Sequence, residues 1–212
     1  MNFIGNLAHF FQAGGYWMYP IGILLVLGIV IAIERWLYLR RSFRENRELW
    51  SRMIPLMNAG KHAEAEKLAQ ESDSAVGKVL TYGFAHSRAN RARNEVEMAI
   101  EESLMEVTSL LEKRTHYLAV FANVATLLGL LGTITGLIRA FAAIASLNLA
   151  EKTDVLSASI AEALNCTAFG LFTAIPLLLV HAWLTTRTGE LVDSLEMAGT
   201  KFLNSMKLPA TA

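Results

Sequence analysis

Three runs of the chain contain no Asp, Glu, Lys or Arg: residues 1–33, 115–138 and 163–186. A helix rises ~1.5 Å per residue and the hydrocarbon of a bilayer is ~30 Å thick, so each run is long enough to span it. The charge removed from these runs collects elsewhere, with 25 of the 38 charged residues in segment 40–114. Apolar runs of that length separated by a solvated block predict an integral membrane protein built of helices.

Finer periodicities place the elements. In residues 1–13, Phe3, Ile4, Leu7, Phe10 and Phe11 fall at near-helical spacing and predict a short helix in the outer interface. Gly14 and Gly15 break it. Residues 14–39 form the first span, with Tyr16, Trp17 and Tyr19 at the outer aromatic belt and Trp36 and Tyr38 at the inner one. Pro20 lies in the first turn, where its missing N–H costs least. Residues 40–93 read as a cytoplasmic helical region of short helices at about 49–57, 61–70 and 76–86.

From residue 94 the apolar positions Val96, Ile100, Leu104, Val107 and Leu111 form a heptad-like seam, and no Gly or Pro interrupts the run into Thr115. The expectation is one long helix over 94–146, half cytoplasmic and half transmembrane. A periplasmic connector at 147–154 follows, then a third span with a cytoplasmic extension over 155–206 and a tail at 207–212. Leu184, Thr188, Leu191, Leu195, Ala198 and Phe202 repeat the seam in that extension. The predicted fold is an all-α membrane protein with three transmembrane helices, the second and third extended into a cytoplasmic helical bundle.

Charge orients the chain. Basic residues Arg35, Arg40, Arg41, Arg44 and Arg47 follow the first apolar run and none precedes it, the pattern of an uncleaved anchor with its N-terminus outside. Segment 35–114 has 14 Lys and Arg, segment 187–207 has 3, and the connector has only Lys152. The positive-inside rule therefore puts the connector outside and the C-terminus in the cytoplasm. Arg139 then snorkels to the outer surface. Net charge is zero, with 19 basic and 19 acidic residues, which gives no reason to expect nucleic acid as a partner. The single cysteine, Cys166, excludes an intrachain disulfide framework and a Cys-rich metal site. No phosphate loop, HExxH or nucleophile elbow is present, so neither an enzyme nor a cofactor is expected.

The residue that invites chemistry is Glu162. A carboxylate in a membrane helix is costly and by default a candidate for ion handling. The alternative is that residues 163–186 cross unaided and leave Glu162 at the outer headgroups. Ser159, Asn165, Cys166 and Thr173 share its side of a helical wheel, whereas Thr167 lies ~140° away. On the second span, Ala125, Gly129, Gly132, Gly136, Ala140 and Ala143 recur every three or four residues, a spacing that lets helix backbones approach closely in lipid. Thr126 and Thr133 lie a heptad apart, and each hydroxyl either bonds back to its own helix or faces a polar interior. Thr133 and Glu162 fall ~9 Å and ~12 Å below Arg139 and Asp154, a similar depth on antiparallel helices. Pro176 removes a backbone hydrogen bond in mid-span. His116 and His181 read as boundary or helix-contact residues.

LLGLLGTITGLIRAF (127–141) and SIAEALNCTAFGLFTAIPLLL (159–179) resemble the two signature helices of the MotA/TolQ/ExbB proton-channel family. GGYWMYPI (14–21) and AIERWLYLR (32–40) resemble the first helix of its ExbB/TolQ branch. The resemblance implies that Glu162 corresponds to the family's intramembrane glutamate, Thr133 and Thr167 to its pore threonines, and Pro176 to a helix-three proline. Asn165, Thr173 and Thr126 become candidate pore or partner contacts. It further implies a homopentamer in a bacterial inner membrane around a dimer of a single-span ExbD/TolR-like partner. That partner would carry the proton-binding aspartate and serve TonB-type, Tol-Pal-type or gliding machinery. Ser159 departs from the family pattern, standing where glycine is usual. Two rival readings are a passive oligomeric scaffold that stabilises a partner without conducting ions, and a transporter or channel acting alone.

Overall fold

The computed structural model describes the backbone of residues 14–89, 92–146 and 149–206. The expected interfacial helix at 1–13, the tail at 207–212 and the first two connector residues lie outside the described residues. Among the described residues six helices follow in order: α1 (Met18–Asn58), α2 (His62–Gln70), α3 (Ala75–Arg88), α4 (Arg93–Glu112), α5 (His116–Ser146) and α6 (Leu149–Ser205). Three helical stretches, Met18–Asn58, Arg93–Ile144 and Lys152–Ser205, are long and apolar enough to cross a membrane. The protein is an all-α, multi-pass membrane protein, as the hydrophobic pattern predicts.

Element ends differ from the sequence expectation in three places. First, α1 does not stop near residue 39 but runs on to Asn58, so 49–57 is its last part rather than a separate helix. Between Gly28 and Pro55 nothing breaks the run, and the pairs Arg41–Glu45 and Glu48–Arg52 add i,i+4 support. Gly60, at φ 71°, ends it in the left-handed conformation that suits a helix C-terminus.

Second, the run over 94–146 is divided between α4 and α5 by a turn at Lys113, Arg114 and Thr115, with Arg114 at φ 66°. A non-glycine residue there costs energy. A partner remote in sequence offsets part of it: the buried Arg35 guanidinium donates to the Leu111 carbonyl, one of the groups a helix end leaves open. Third, residues 149–154, expected in the connector, are the opening turns of α6, and that helix continues through Pro176.

The chain divides into two compact units: Met1–Ile33 with Arg114–Trp183, and Glu34–Lys113 with Leu184–Ala212. In the first, Met18, Ile21, Ala125, Cys166 and Phe169 form a buried cluster flanked by Trp17, Leu24, Leu25 and Leu128. In the second, every seam position of α6 from Leu184 to Phe202 is buried, together with Val96, Ile100, Val107 and Leu111 of α4. Leu104 is only half-buried, and the neighbouring Ser103 is buried instead. The Phe202 ring meets Phe84 edge-on at 4.7 Å, a favoured aromatic geometry. Ser74 caps α3 by accepting from the Gly77 N–H at 3.1 Å, and Asn46 of α1 accepts from the Val76 N–H at 3.0 Å.

Candidate functional site: the α5–α6 crossing

The site lies within the first unit and starts from missing side chains. A Cβ on Gly129 would sit 3.2 Å from the Thr167 Cα and 3.4 Å from the Gly170 Cα. One on Gly170 would sit 2.8 Å from the Ala125 carbonyl oxygen. At Gly132 it would collide with the Cys166 sulfur, and at Gly136 it would lie 2.8 Å from the Ala163 Cβ. The small-residue ladder of α5 thus fits against Ala163, Cys166, Thr167 and Gly170 of α6, and the two backbones touch. Gly170 was not singled out by the sequence reading. Its signal was there: Ala163, Thr167, Gly170 and Ala174 repeat small residues every three or four positions.

Backbone contact brings two hydroxyls together. Thr167 Oγ1 donates to the Gly129 carbonyl at 2.8 Å, and lies 3.4 Å from Thr133 Oγ1. Thr133 itself bonds back to the Leu130 carbonyl at 2.6 Å, and Thr126 to that of Ala122 at 3.1 Å. Of the two alternatives raised for Thr133 the structure shows the back-bond to its own helix, while its oxygen faces Thr167. Both threonines are half-buried.

Glu162 is placed differently. It precedes Thr167 by five residues, ~140° around the helix, and its half-buried carboxyl lies against Gly15, ahead of α1. Its expected companions divide. Cys166 and Thr173 are fully buried, and the Thr173 hydroxyl has no hydrogen-bond partner among the described residues. Asn165 and Ser159 stay half-buried with Glu162, and Pro176 is exposed. In the residue pattern Gly15 marks a helix break and Trp17 the aromatic belt. Yet Trp17 Nε1 donates to Thr135 Oγ1 at 3.0 Å, tying the start of α1 to α5. Among the described residues no group of three or more His, Cys, Asp or Glu could hold a metal.

The model of the MotA/TolQ/ExbB proton channel family matches residues 71–197, which include Thr133, Glu162, Thr167 and Pro176. The chain belongs to this family. Among relatives of the MotA/TolQ/ExbB type, the Tol-Pal system protein TolQ of Haemophilus influenzae is 30% identical over 78% of this chain and 76% of its own. The biopolymer transport protein ExbB of Salmonella typhimurium is 28% identical over 74% and 70%. A protein of Methanothermobacter thermautotrophicus named as an ExbB homologue is 27% identical over 93% and 69%. Relatives and family match together make this a proton-channel-family subunit of the ExbB/TolQ branch.

Proposed function

We propose that the protein is the channel-forming, stator-like subunit of an ExbB/TolQ-type motor in a bacterial inner membrane, with its N-terminus periplasmic and its C-terminus cytoplasmic. Five copies would enclose a dimer of an ExbD/TolR-like single-span partner. Proton flow would then drive the partner's movement on behalf of TonB-type uptake, Tol-Pal-type envelope or gliding machinery. One charge crossing 100 mV releases ~2.3 kcal/mol, which is the work available per proton. Thr133 and Thr167 offer hydroxyls to water or to the partner helix. Glu162 sets the field and hydration near the partner's aspartate. Asn165, Thr126 and the exposed Pro176 offer further contacts to water or the partner, and the buried Thr173 acts only from behind them.

The observation that carries this reading is the hydroxyl pair, Thr167 and Thr133 at 3.4 Å, fixed by glycine-backed helix contact on the helix that bears Glu162. Hydroxyls whose protons are committed to backbone carbonyls keep their lone pairs pre-oriented, so they can accept a hydrogen bond from water or from the partner helix without first reorganising. The test replaces Glu162→Ala and, separately, Thr133→Ala in cells that contain the partner. Both are expected to leave assembly intact and abolish energised function, and normal function in both would sink the proposal. Glu162→Gln then separates charge from hydrogen bonding. The scaffold reading draws on the same glycine packing. It predicts the opposite pair of results: a normal Glu162→Ala phenotype, and loss of the partner only when the chain is deleted.

A further inference from the structure

We infer that the turn at residues 14–17, ahead of α1, is a positioning element for the Glu162 carboxylate, closing one side of it and fixing the direction in which it can swing. Its bearing on ion transfer rests on the proposed role of Glu162, but the geometry does not. Gly15 has φ 75°, a conformation that residues with a Cβ rarely adopt. A Cβ there would collide with Glu162 Oε1 and lie 3.0 Å from its Cδ and 3.3 Å from its Cγ. Conformation thus demands glycine at this point, and the space left by its missing Cβ is taken up by the carboxylate.

The turn is fastened on both sides of that contact. Trp17 donates its indole N–H to Thr135 Oγ1, and the Thr135 hydroxyl lies 2.9 Å from the Leu131 carbonyl and 3.2 Å from that of Gly132. With its one proton committed to its own helix, that oxygen offers the indole a lone pair already oriented. Met18 packs back over Gly14, where a Cβ would strike its sulfur, and is fully buried among Ile21, Ala125, Cys166 and Phe169. A turn held to α5 through Trp17 and to the buried cluster through Met18 cannot yield to the carboxylate. The carboxylate must give way instead, so its accessible side is the one away from Gly15.

The test uses the full chain in native membranes, labelled with dicyclohexylcarbodiimide. This apolar reagent adds to accessible protonated carboxyl groups, and the Glu162 peptide is followed by mass spectrometry. Trp17→Phe keeps the ring and removes the N–H. Loss of that hydrogen bond should raise the labelling rate about fivefold by loosening the turn. Gly15→Ala should raise it at least as much by displacing the carboxyl group. In a Glu162→Asp background, whose carboxyl sits about 1.5 Å further back, Gly15→Ala should raise the rate less, because only the strain on the turn remains. Wild-type rates in both Trp17→Phe and Gly15→Ala overturn the inference, as does an equal rise from Gly15→Ala in the Glu162→Asp background. Should Gly15→Ala fail to accumulate, Trp17→Phe decides alone. Labelling needs neither partner nor proton motive force. Normal function in both Glu162→Ala and Thr133→Ala would therefore remove the motor reading and leave this one standing.

Discussion

Around Gly129 and Gly170 the α5 and α6 backbones come into direct contact, whereas around Phe202 the last turns of α6 meet α3 and α4 through a ring and branched side chains. The surfaces are reversed in the same way. In the first unit many large apolar residues face outward, Phe172 at 66% and Leu179 at 67% exposed, while the small Ala125 and Cys166 are inside beside Met18, Ile21 and Phe169. In the second unit the large apolar residues Phe202, Leu191 and Leu195 are inside, and charged pairs such as Arg187–Glu190 lie at the surface. Water rewards burial of apolar area, at about 25 cal/mol per Å². Lipid does not, because its tails are as apolar as leucine, so helices there must gain from close packing and interhelical hydrogen bonds. The Thr167 to Gly129 bond is of that second kind. One sequence therefore contains two grammars of packing, and each unit follows the solvent its composition implies.

Substitutions can break that contrast, and the largest effect is expected at the backbone contact. Gly170→Leu would drive a side chain toward the Ala125 carbonyl, where even a Cβ comes within 2.8 Å. Backbone cannot step aside as a side chain can, so folded protein should fall below detection when detergent extracts are sized. Normal yield and oligomer size would show that the α5–α6 crossing is not set by glycine. Next comes Phe202→Ala in the other unit, expected to cost about 3–5 kcal/mol through lost burial and a residual cavity. A thermal melt of the extracted protein would read this as a clear drop in midpoint; an unchanged midpoint would mean the bundle does not depend on its core. The smallest stability effect belongs to Thr167→Val, which removes one interhelical hydrogen bond worth roughly 0.6 kcal/mol in a membrane. Its interest lies in the split it makes, since energised function should be lost while the melt hardly moves. A proportionate fall in both would reduce Thr167 to a packing residue.

Much of this arrangement is legible in the residue pattern, because it depends on local composition. Absence of charge over 115–138 and 163–186 is enough to specify spans, since a charge in lipid is costly wherever the neighbouring helices lie. The seam from Leu184 to Phe202 is likewise readable: on a helix, apolar residues at steps of three and four share one face, and that face is the buried one. The small residues of α5 announced close approach to some helix, though not to which one. The glycine they meet, Gly170, carried the same signal less visibly.

What the chain alone left open concerns partners far apart in sequence. Nothing near Arg114 announces a left-handed residue, because the group that accommodates the break is Arg35, 76 positions before the Leu111 carbonyl it reaches. Helical-wheel reasoning separated Thr167 from Glu162 correctly but could not say that Thr167 would find Thr133, since that needs the rotation of α6 against α5. Nor could it turn Gly15 from a helix break into the neighbour of a carboxylate. Periodicity records which face of a helix is apolar or small, a property each segment carries by itself. Only packing fixes the angle at which two such faces meet, and that angle decides which polar atoms come within a hydrogen bond of each other.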